Sequence, residues 1–483
     1  MVKKEELHVL IRSLTKSEKR YFQLFCSRES SGNNYLKLFE AIDKQLRYNQ
    51  NEIKRQFENE KFILQLHVTK NYLRKLILKS LRNFHANISK DAELKDILRN
   101  VEILYHKELY VNCESELKRA NTMAQKFELS VGIVEIETWN RKLKQAMFPQ
   151  DYNSFKTTLI RQKEAISVLV NSNSYWQLAV STSTSIFNEN KKTENLPSLL
   201  KKPDLALTLE SKVLFYNTRS LFFIQNKDGK AERELRTLIK LLDKHPQRMS
   251  QEPGLYVSSV NNLVSYLVFN KEYKEALKLI EKAKRKYEGW KITSENKILL
   301  KQILRTYNVE LEIYRDTKLF REKSEFIEST EAFVKTTTYK MPKEYLLSFW
   351  FQLASIHFMQ GNYKRSLTWI NLLLNARFKD VRTDLQAQAH ILNLIVHLEQ
   401  QNLMVLRYYV DSARRYLKKV KQIEPFEKIL LTFFIKVARL PLFEYKKAFI
   451  ELKFKLFSAE EPLIPKNMLG YIDYLEWIDG KIK

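Results

Sequence analysis

A chain of 483 residues is too long for a single ordinary hydrophobic core, so its length predicts several domains or an array of repeats. Its 44% hydrophobic and 12% aromatic content excludes a disordered chain, while only 8 Gly and 10 Pro leave too little turn chemistry for a protein of strands and tight hairpins. The net charge of +27 is compatible with attraction to phosphate groups, but we favour a Lys-rich solvated surface, because acids are interspersed with the bases over most of the sequence. We therefore predict an all-α protein.

The predicted compartment is the cytoplasm. The protein has 2 Cys, too few for a disulfide framework or a zinc knuckle. Its first residues combine bases with Glu5 and Glu6 and lack the apolar core of a signal peptide. No run approaches the roughly 18 apolar residues that a membrane span requires, so we expect no membrane insertion.

Residues 1–90 are predicted to form a basic helical N-terminal domain. Thr15 and Glu18 have the spacing of a capping box, in which each side chain accepts from the backbone of the other residue at the start of a helix. The stretch from His67 to Lys90 contains six bases and no acid. We predict a helix from about Lys70 to Phe84 within it, with Thr69 as the N-cap.

The two sides of this predicted helix differ in character. At about 100° per residue one side is apolar, which predicts burial without any ligand. That side carries Leu73, Leu76, Ile77, Leu81 and Phe84. The opposite side carries the possible phosphate contacts Lys70, Arg74, Lys75, Lys79 and Arg82. Weak nucleic-acid contact through this side remains open beside a solvated or protein-facing surface, since the outline of a helix-turn-helix is poor.

Helical pairs are predicted over the rest of the sequence, because apolar residues recur at three- and four-residue spacing between short polar breaks. Residues 91–186 are predicted as helix pairs of a first solenoid part, with one turn at Lys107–Tyr110 and another at Pro149. Residues 187–210 are predicted as a linker or long loop, residues 211–460 as the main solenoid, and residues 461–483 as a C-terminal capping helix.

Two segments of the main solenoid resemble the tetratricopeptide repeat. They span about Ser258–Tyr287, including "VNNLVSYLVFNKEYKEALKLIEKAKRKY", and about Ser348–Leu374, including "WFQLASIHFMQGNYKRSLTWINLLL". The matching positions of the first are Leu263, Tyr273, Ala276, Ile280 and Ala283, with Asn270 in place of the turn glycine. Those of the second are Trp350, Leu353, Ala354, Gly361, Tyr363 and Ile370, with Ser366 where Ala is usual. The small residues among these let two helices approach closely, and Gly or Asn at the turn tolerates the left-handed backbone that ends a helix.

This resemblance implies a right-handed α-solenoid of tetratricopeptide-like hairpins, in which the first helix of each pair lines an inner groove. The implied function is a noncatalytic protein- or peptide-binding scaffold. The groove candidates are Asn261, Asn262, Ser265, Ser348, Gln352, Ser355 and Met359. The alternatives are a nucleic-acid-associated regulator with a peptide-sensing solenoid, and a structural subunit whose ends are exposed for stacking.

The sequence offers no enzymatic signature. Phosphate-binding glycine loops, HExxH, CxxC and GxSxG motifs are all absent from it. His390 and His397 are seven residues apart on one predicted helix face, but a metal would need a third ligand from elsewhere, and we interpret them, like His357, as core or groove histidines. We therefore predict no catalytic, cofactor or metal site, and the partner remains an unidentified protein or peptide.

Overall fold

The computed structural model describes residues 5–29, 34–147, 152–187, 195–288, 290, 297–338, 341–376, 378, 381–420, 423–457 and 472–483. Within these residues every regular element is a helix, so the prediction of an all-α protein is confirmed. None of the described helices is long and apolar enough to cross a membrane. The predicted turn at Pro149, part of the predicted linker (188–194) and the start of the predicted capping helix (461–471) lie outside the described residues.

The protein divides into two compact units, Met1–Val180 with Lys202–Leu214, and Ser181–Lys201 with Phe215–Lys483. The first nine helices are α1 (Glu6–Ser13), α2 (Lys16–Glu29), α3 (Asn34–Lys44), α4 (Gln50–Gln56), α5 (Leu66–Phe84), α6 (Lys90–His106), α7 (Tyr110–Lys126), α8 (Ser130–Met147) and α9 (Tyr152–Phe187). Helices α1 to α5 surround one hydrophobic core and α6 to α8 surround another. The predicted turn at Lys107–Tyr110 is confirmed between α6 and α7.

The N-terminal unit confirms one predicted helix start and corrects another. The Thr15 N–H donates to Glu18 Oε2 at 2.6 Å and the Glu18 N–H donates to Thr15 Oγ1 at 3.2 Å, so the capping box is present. Thr69 as an N-cap is wrong, because α5 begins at Leu66 and Thr69 is buried inside it. The Thr69 hydroxyl donates to the backbone carbonyl of Gln65 at 3.2 Å, a bond made within the helix rather than at its end.

From Phe215 of α10 onward the helices belong to the second unit, and most of them pack on their neighbours in the sequence. They are α10 (Leu209–Gln225), α11 (Ala231–Asp243), α12 (Pro246–Gln251), α13 (Pro253–Phe269), α14 (Tyr273–Glu288), α15 (Lys297–Asp316), α16 (Ser324–Thr337), α17 (Lys343–Met359), α18 (Tyr363–Leu374), α19 (Thr383–Glu399), α20 (Leu403–Val420), α21 (Pro425–Val437), α22 (Tyr445–Phe457) and α23 (Tyr474–Ile482). The first helices of successive pairs also pack on one another, α13 on α15, α15 on α17 and α17 on α19. This second set of contacts creates a layer of first helices.

Six helix-to-helix turns share one backbone geometry. In each, the second residue after the helix has a positive φ and donates its N–H to the carbonyl three positions back, while the next N–H donates to the carbonyl five positions back. This pattern is the Schellman motif, which bonds carbonyls that a helix end leaves unpaired. The positive-φ residues are Glu108, Glu128, Lys227, Lys271, Gly361 and Gln401. A single type of turn therefore connects many of the helices, although only one of the six residues is a glycine.

The two segments that resemble tetratricopeptide repeats pack as expected at most positions. Ala276 and Ser366 are fully buried, and the Ser366 hydroxyl donates to the backbone carbonyl of Ala354 at 2.8 Å. The assignment of Asn270 to the turn-glycine position is wrong. Asn270 has φ −84 and caps α13, whereas Lys271 has φ 62 and takes the position that Gly361 holds at φ 74.

Candidate functional site

A half-buried arginine on α15 connects two of the predicted groove residues. Arg305 Nη2 donates to the Ser265 hydroxyl at 2.9 Å, and Arg305 Nη1 donates to Asn262 Oδ1 at 3.3 Å. Asn262 and Ser265 are three residues apart and lie on one side of α13, since about 3.6 residues complete a helical turn. Both are half-buried, so the structure places these two predicted residues together at an accessible surface.

The polar network extends to a third helix. Asn262 Nδ2 donates to Asn217 Oδ1 at 3.1 Å, which joins α10 to α13. Asn217, Asn262 and Arg305 therefore come from three helices, α10, α13 and α15, and each is half-buried. A peptide that crosses these helices would meet amide and guanidinium groups in succession.

The charge of Arg305 is not neutralised within the described part of the protein. Its two hydrogen-bond acceptors are neutral, and no described carboxylate lies within ion-pairing distance. Burial lowers the pKa of the Arg305 guanidinium, and the nearby Tyr345 phenol opposes that effect. A guanidinium stays protonated near neutral pH even so, and it has five N–H groups to donate. Arg305 thus retains a full positive charge and unused donors.

The adjacent cation is already paired. Lys301 lies one turn before Arg305 on α15, and its ammonium group contacts Glu344 of α17 at 2.9 Å. The hydrogen bond from Lys301 to Glu344 raises the pKa of Lys301. Burial raises the pKa of the Tyr345 hydroxyl, while Arg305 and Lys301 lower it. Two turns after Arg305 on the same side of α15, Glu312 is half-buried and has no ion-pair partner in the described residues, and burial raises its pKa.

Asn261 is buried in the core, unlike Asn262, which follows it in the sequence. It is only 1% exposed, and its amide donates to the Gln302 carbonyl at 2.8 Å while its oxygen accepts from Thr306 at 2.8 Å. These bonds fasten α13 to α15 inside the core. The amide group of Asn261 is therefore already used in helix packing.

The four candidates on α17 lie along one stripe, and three of them are buried. Ser348, Gln352 and Ser355 are 6%, 6% and 4% exposed, whereas Met359 is half-buried. Gln352 Oε1 accepts from Arg315 Nη1 at 2.9 Å. The Ser355 hydroxyl is buried and has no hydrogen-bond partner in the described part of the protein.

Ser355 and Met359 are brought together in the wall of a pocket of about 480 Å³. Its apolar floor is formed by Phe320, Phe358, Met359, Leu392, Ile472 and Trp477. Its rim carries Lys271, Tyr273, Arg315, Asp316, Lys318, Arg321, Asp473 and Glu476. We name this cavity the Met359 pocket. It combines aromatic side chains with a charged rim, as ligand sites in proteins commonly do.

The C-terminal helix α23 forms one wall of this pocket and covers part of α19. The Tyr474 hydroxyl donates to Gln388 Oε1 at 2.9 Å, and Trp477 Nε1 donates to Glu399 Oε1 at 2.9 Å. Lys481 pairs with the same glutamate at 2.7 Å. The protein itself thus occupies this part of the first-helix layer, so the accessible polar surface described above lies on α10, α13 and α15.

The histidines considered as metal ligands contact other side chains. His357 is buried and bonded to Glu331 of α16, and His390 and His397 pack against Tyr416 and Tyr409 of α20, with ring centroids 4.7 and 4.4 Å apart. No group of three or more potential metal ligands occurs in the described residues. Burial lowers the pKa of His390 to about 4 and also lowers that of His397.

The basic side of α5 divides into restrained and unrestrained residues. Lys70 donates to the Tyr48 hydroxyl at 2.9 Å, and the Lys79 ammonium lies 5.6 Å from the Phe25 ring centroid. Arg74, Lys75 and Arg82 are exposed and have no partner within the described residues. The apolar side of α5 is buried at Leu73, Leu76 and Ile77, as predicted, whereas Leu81 is half-buried and Phe84 is 39% exposed.

The sequence pattern did not point to Arg305 or Asn217. A signal was available, since Lys301 and Arg305 are four residues apart on the helix that follows the first repeat-like segment. In a protein with 83 Lys and Arg that spacing alone has little specificity.

A scan against models of known protein families finds no match for this sequence. A search of curated proteins finds no relative either.

Proposed function

We propose that the second unit is a right-handed, tetratricopeptide-like solenoid that serves as a noncatalytic scaffold and binds a carboxylate-bearing segment of a partner protein at Arg305. The observation that carries this proposal is the half-buried guanidinium, whose partners among the described residues are all neutral, at the junction of α10, α13 and α15. The shared turn geometry and the layer of first helices support the repeat architecture.

A half-buried charge without a counterion is energetically unfavourable. Removing a charged group from water costs several kcal/mol unless an opposite charge or hydrogen bonds compensate it. Arg305 receives hydrogen-bond compensation from Asn262 and Ser265, but no carboxylate in the described ranges supplies an opposite charge. A residue of this kind is explained when a ligand supplies the missing charge, and such perturbed groups concentrate at functional sites.

The ligand charge can be specified further. Lys301 is neutralised by Glu344, so one positive charge remains uncompensated near Asn262. A carboxylate carries one negative charge, whereas a phosphomonoester carries about −1.5 to −2 at neutral pH. Guanidinium groups also match the planar, bidentate geometry of carboxylates. We therefore favour the side-chain carboxylate of Asp or Glu, or the terminal carboxylate of a peptide, over a phosphate.

Fluorescence polarisation with two fluorescein-labelled hexapeptides tests this proposal. Their sequences are Glu-Gly-Ser-Gly-Ser-Ala-amide and Gln-Gly-Ser-Gly-Ser-Ala-amide, which differ by one carboxylate. We expect tighter binding of the glutamate peptide, and we expect Arg305→Gln to abolish the difference. Arg285→Gln is the matched control, because it removes the same charge from an exposed site on α14. Equal binding of both peptides, or an equal loss in both variants, would refute the proposal.

A second candidate function is nucleic-acid association through α5, favoured by the three exposed and unpartnered bases Arg74, Lys75 and Arg82. On duplex DNA the slope of log K against log salt is about −0.9 per neutralised phosphate. Replacing these three bases with Gln should flatten the slope, whereas Lys70→Gln should change it less because Tyr48 already holds that ammonium group. Absence of DNA binding by the full-length protein at low salt would exclude this candidate.

A further inference from the structure

The geometry points to the Met359 pocket as the anchor site for an aromatic or large aliphatic side chain of the same peptide whose carboxylate binds Arg305, about five residues away along the peptide. This inference rests on the proposed function and deepens it. It assigns a second contact, with a different chemistry and a fixed distance from the first.

The position of the pocket follows from the helices that carry both sites. Arg305 and Asp316 are eleven residues apart on α15, which is about three helical turns and places both side chains on the same side, roughly 16 Å apart along the axis. Asp316 belongs to the pocket rim. On α17, Tyr345 neighbours Arg305, and Ser355 in the pocket wall lies ten residues further on, about 15 Å along the axis. The two sites are therefore separated along one direction of the first-helix layer.

An extended peptide spans this distance in a definite number of residues. Each residue of an extended peptide advances about 3.3 Å, so roughly 16 Å corresponds to about five residues. A carboxylate at one position and an apolar side chain five positions away would reach both sites together. Linked contacts of this kind act cooperatively, because the second binding event becomes intramolecular.

The pocket has the character of an anchor site. Its volume of about 480 Å³ accommodates a phenyl or indole group, and Phe320, Phe358 and Trp477 provide aromatic contacts in its floor. The Ser355 hydroxyl in its wall is buried and has no partner in the described residues. The N–H of an indole group in the pocket would supply a donor to this hydroxyl, whereas a phenyl group would not.

The charge on the rim favours an acidic peptide over a basic one. Arg315 pairs with Asp316, Lys318 pairs with Glu476, and Asp473 caps the N-terminus of α23. The two remaining cations, Lys271 and Arg321, have no ion-pair partner within the described ranges. Since Asp473 has no ion pair in the described residues, the rim carries four cations and three acids, and this excess of one positive charge favours, as Arg305 does, a peptide with acidic residues.

The test adds a phenylalanine to the hexapeptide of the first experiment. Fluorescein-labelled Glu-Gly-Ser-Gly-Ser-Phe-amide is compared with its Phe→Ala and Glu→Gln counterparts, with the reversed sequence, and with Glu-Gly-Phe-amide, in which the two groups are only two positions apart. Burial of a phenyl group strengthens binding by about tenfold or more. We expect this gain for the five-residue spacing, in one of the two peptide directions, and no gain for the short peptide.

Two variants test the Met359 pocket and Arg305 independently of each other. Met359→Trp fills the pocket and should remove the phenylalanine gain while the glutamate preference remains. Arg305→Gln should remove the glutamate preference while the phenylalanine gain remains. Circular dichroism checks that Met359→Trp folds, and Arg321→Trp, at an exposed rim position, replaces it if it does not.

The outcomes distinguish this inference from the proposed function. If the wild-type protein shows no phenylalanine gain, or if pocket filling leaves that gain unchanged, the anchor site is refuted while the glutamate preference at Arg305 still stands. If the glutamate preference itself is absent, the proposed function fails, and the anchor inference fails with it.

Discussion

Lys271 and Gly361 occupy the same position in two separate turns, with φ 62 and 74, and each donates its N–H to the carbonyl three residues back. The hydrogen bonds are 2.9 Å in both cases. A left-handed backbone brings the Cβ of an L-residue close to its own carbonyl oxygen, which glycine avoids. The turn at Lys271 is therefore built with a residue that disfavours it.

Replacing the left-handed residue with glycine should stabilise the second unit. We expect Lys271→Gly and Gln401→Gly each to increase the free energy of unfolding by about 0.5 to 1 kcal/mol, because relief of the strain exceeds the extra flexibility of glycine in the unfolded state. Thermal unfolding monitored by circular dichroism measures this. Gln401 has φ 59.

Two further substitutions, one at Asn270 and one at Gly361, serve as controls for the stabilisation by glycine. Asn270→Gly changes a residue with φ −84, so it should give no gain. Gly361→Ala introduces a Cβ at φ 74 and should destabilise the protein. Stabilisation by Asn270→Gly equal to that by Lys271→Gly would mean that loop flexibility, and not the left-handed backbone, causes the change.

Ser366 should tolerate only small replacements. It is 0% exposed between α17 and α18, with its hydroxyl on the Ala354 carbonyl. We expect Ser366→Leu to lower the free energy of unfolding by about 1 to 3 kcal/mol through overpacking. Thr368→Leu, at an exposed position on the same helix, should change it by less than about 0.5 kcal/mol. A similar loss in both variants would contradict close packing as the reason for a small residue.

The helical architecture was predictable because apolar spacing determines which side of each helix is buried. The buried side of α5 and the turn at Lys107–Tyr110 follow directly from that spacing. The turn residues were less predictable. Lys271 adopts a backbone that lysine disfavours, because both flanking helices are fixed by packing, so its identity gives no signal. Thr69 was misassigned because a threonine can bond to the backbone both at a helix start and inside a helix.

The candidate site was predictable only in part. Asn261 and Asn262 are adjacent and chemically identical, yet one is fixed in the core and the other lies half-buried beside Arg305. Adjacent residues of a helix are separated by about 100° of rotation, and the spacing of apolar residues does not place the edge of the buried side more finely than that. The unpaired state of Arg305 depends on which carboxylates packing brings near it. Sequence spacing cannot specify that for non-neighbouring helices.

His390 should make the stability of the second unit sensitive to mild acid. Burial lowers its pKa to about 4, whereas an unfolded histidine titrates near 6.5. Between these values the unfolded state binds the proton and the folded state does not, so stability is complete above about pH 6.5 and declines as the pH falls toward 4. At pH 5 this effect lowers the free energy of unfolding by at most about 2 kcal/mol.

The measurement compares melting temperatures at pH 7 and pH 5. His390→Gln, which cannot titrate, should narrow the difference between the two pH values. His245→Gln, at an exposed position in the same unit, is the matched control and should leave the difference unchanged. If His390→Gln has no effect, the acid sensitivity has another origin, such as the buried Glu331–His357 pair.

Arg305 and Arg315 lie on the same helix but should respond oppositely to removal of their charge. Arg315 is 7% exposed, pairs with Asp316 at 2.6 Å and donates to Gln352 at 2.9 Å. Arg315→Met leaves the buried Gln352 oxygen without a donor, which costs about 1 to 3 kcal/mol. Arg305 has no such ion pair within the part of the chain that the structure describes. Arg305→Met therefore removes an uncompensated charge and should raise the melting temperature of the ligand-free protein by about 2 to 4 °C.

This contrast distinguishes a binding residue from a structural one, because a group kept for a ligand commonly reduces the stability of the free protein. Differential scanning calorimetry of both variants without ligand provides the measurement. If Arg305→Met lowers the melting temperature as Arg315→Met does, the hydrogen bonds to Asn262 and Ser265 stabilise the helix layer, and the uncompensated charge no longer argues for a carboxylate ligand.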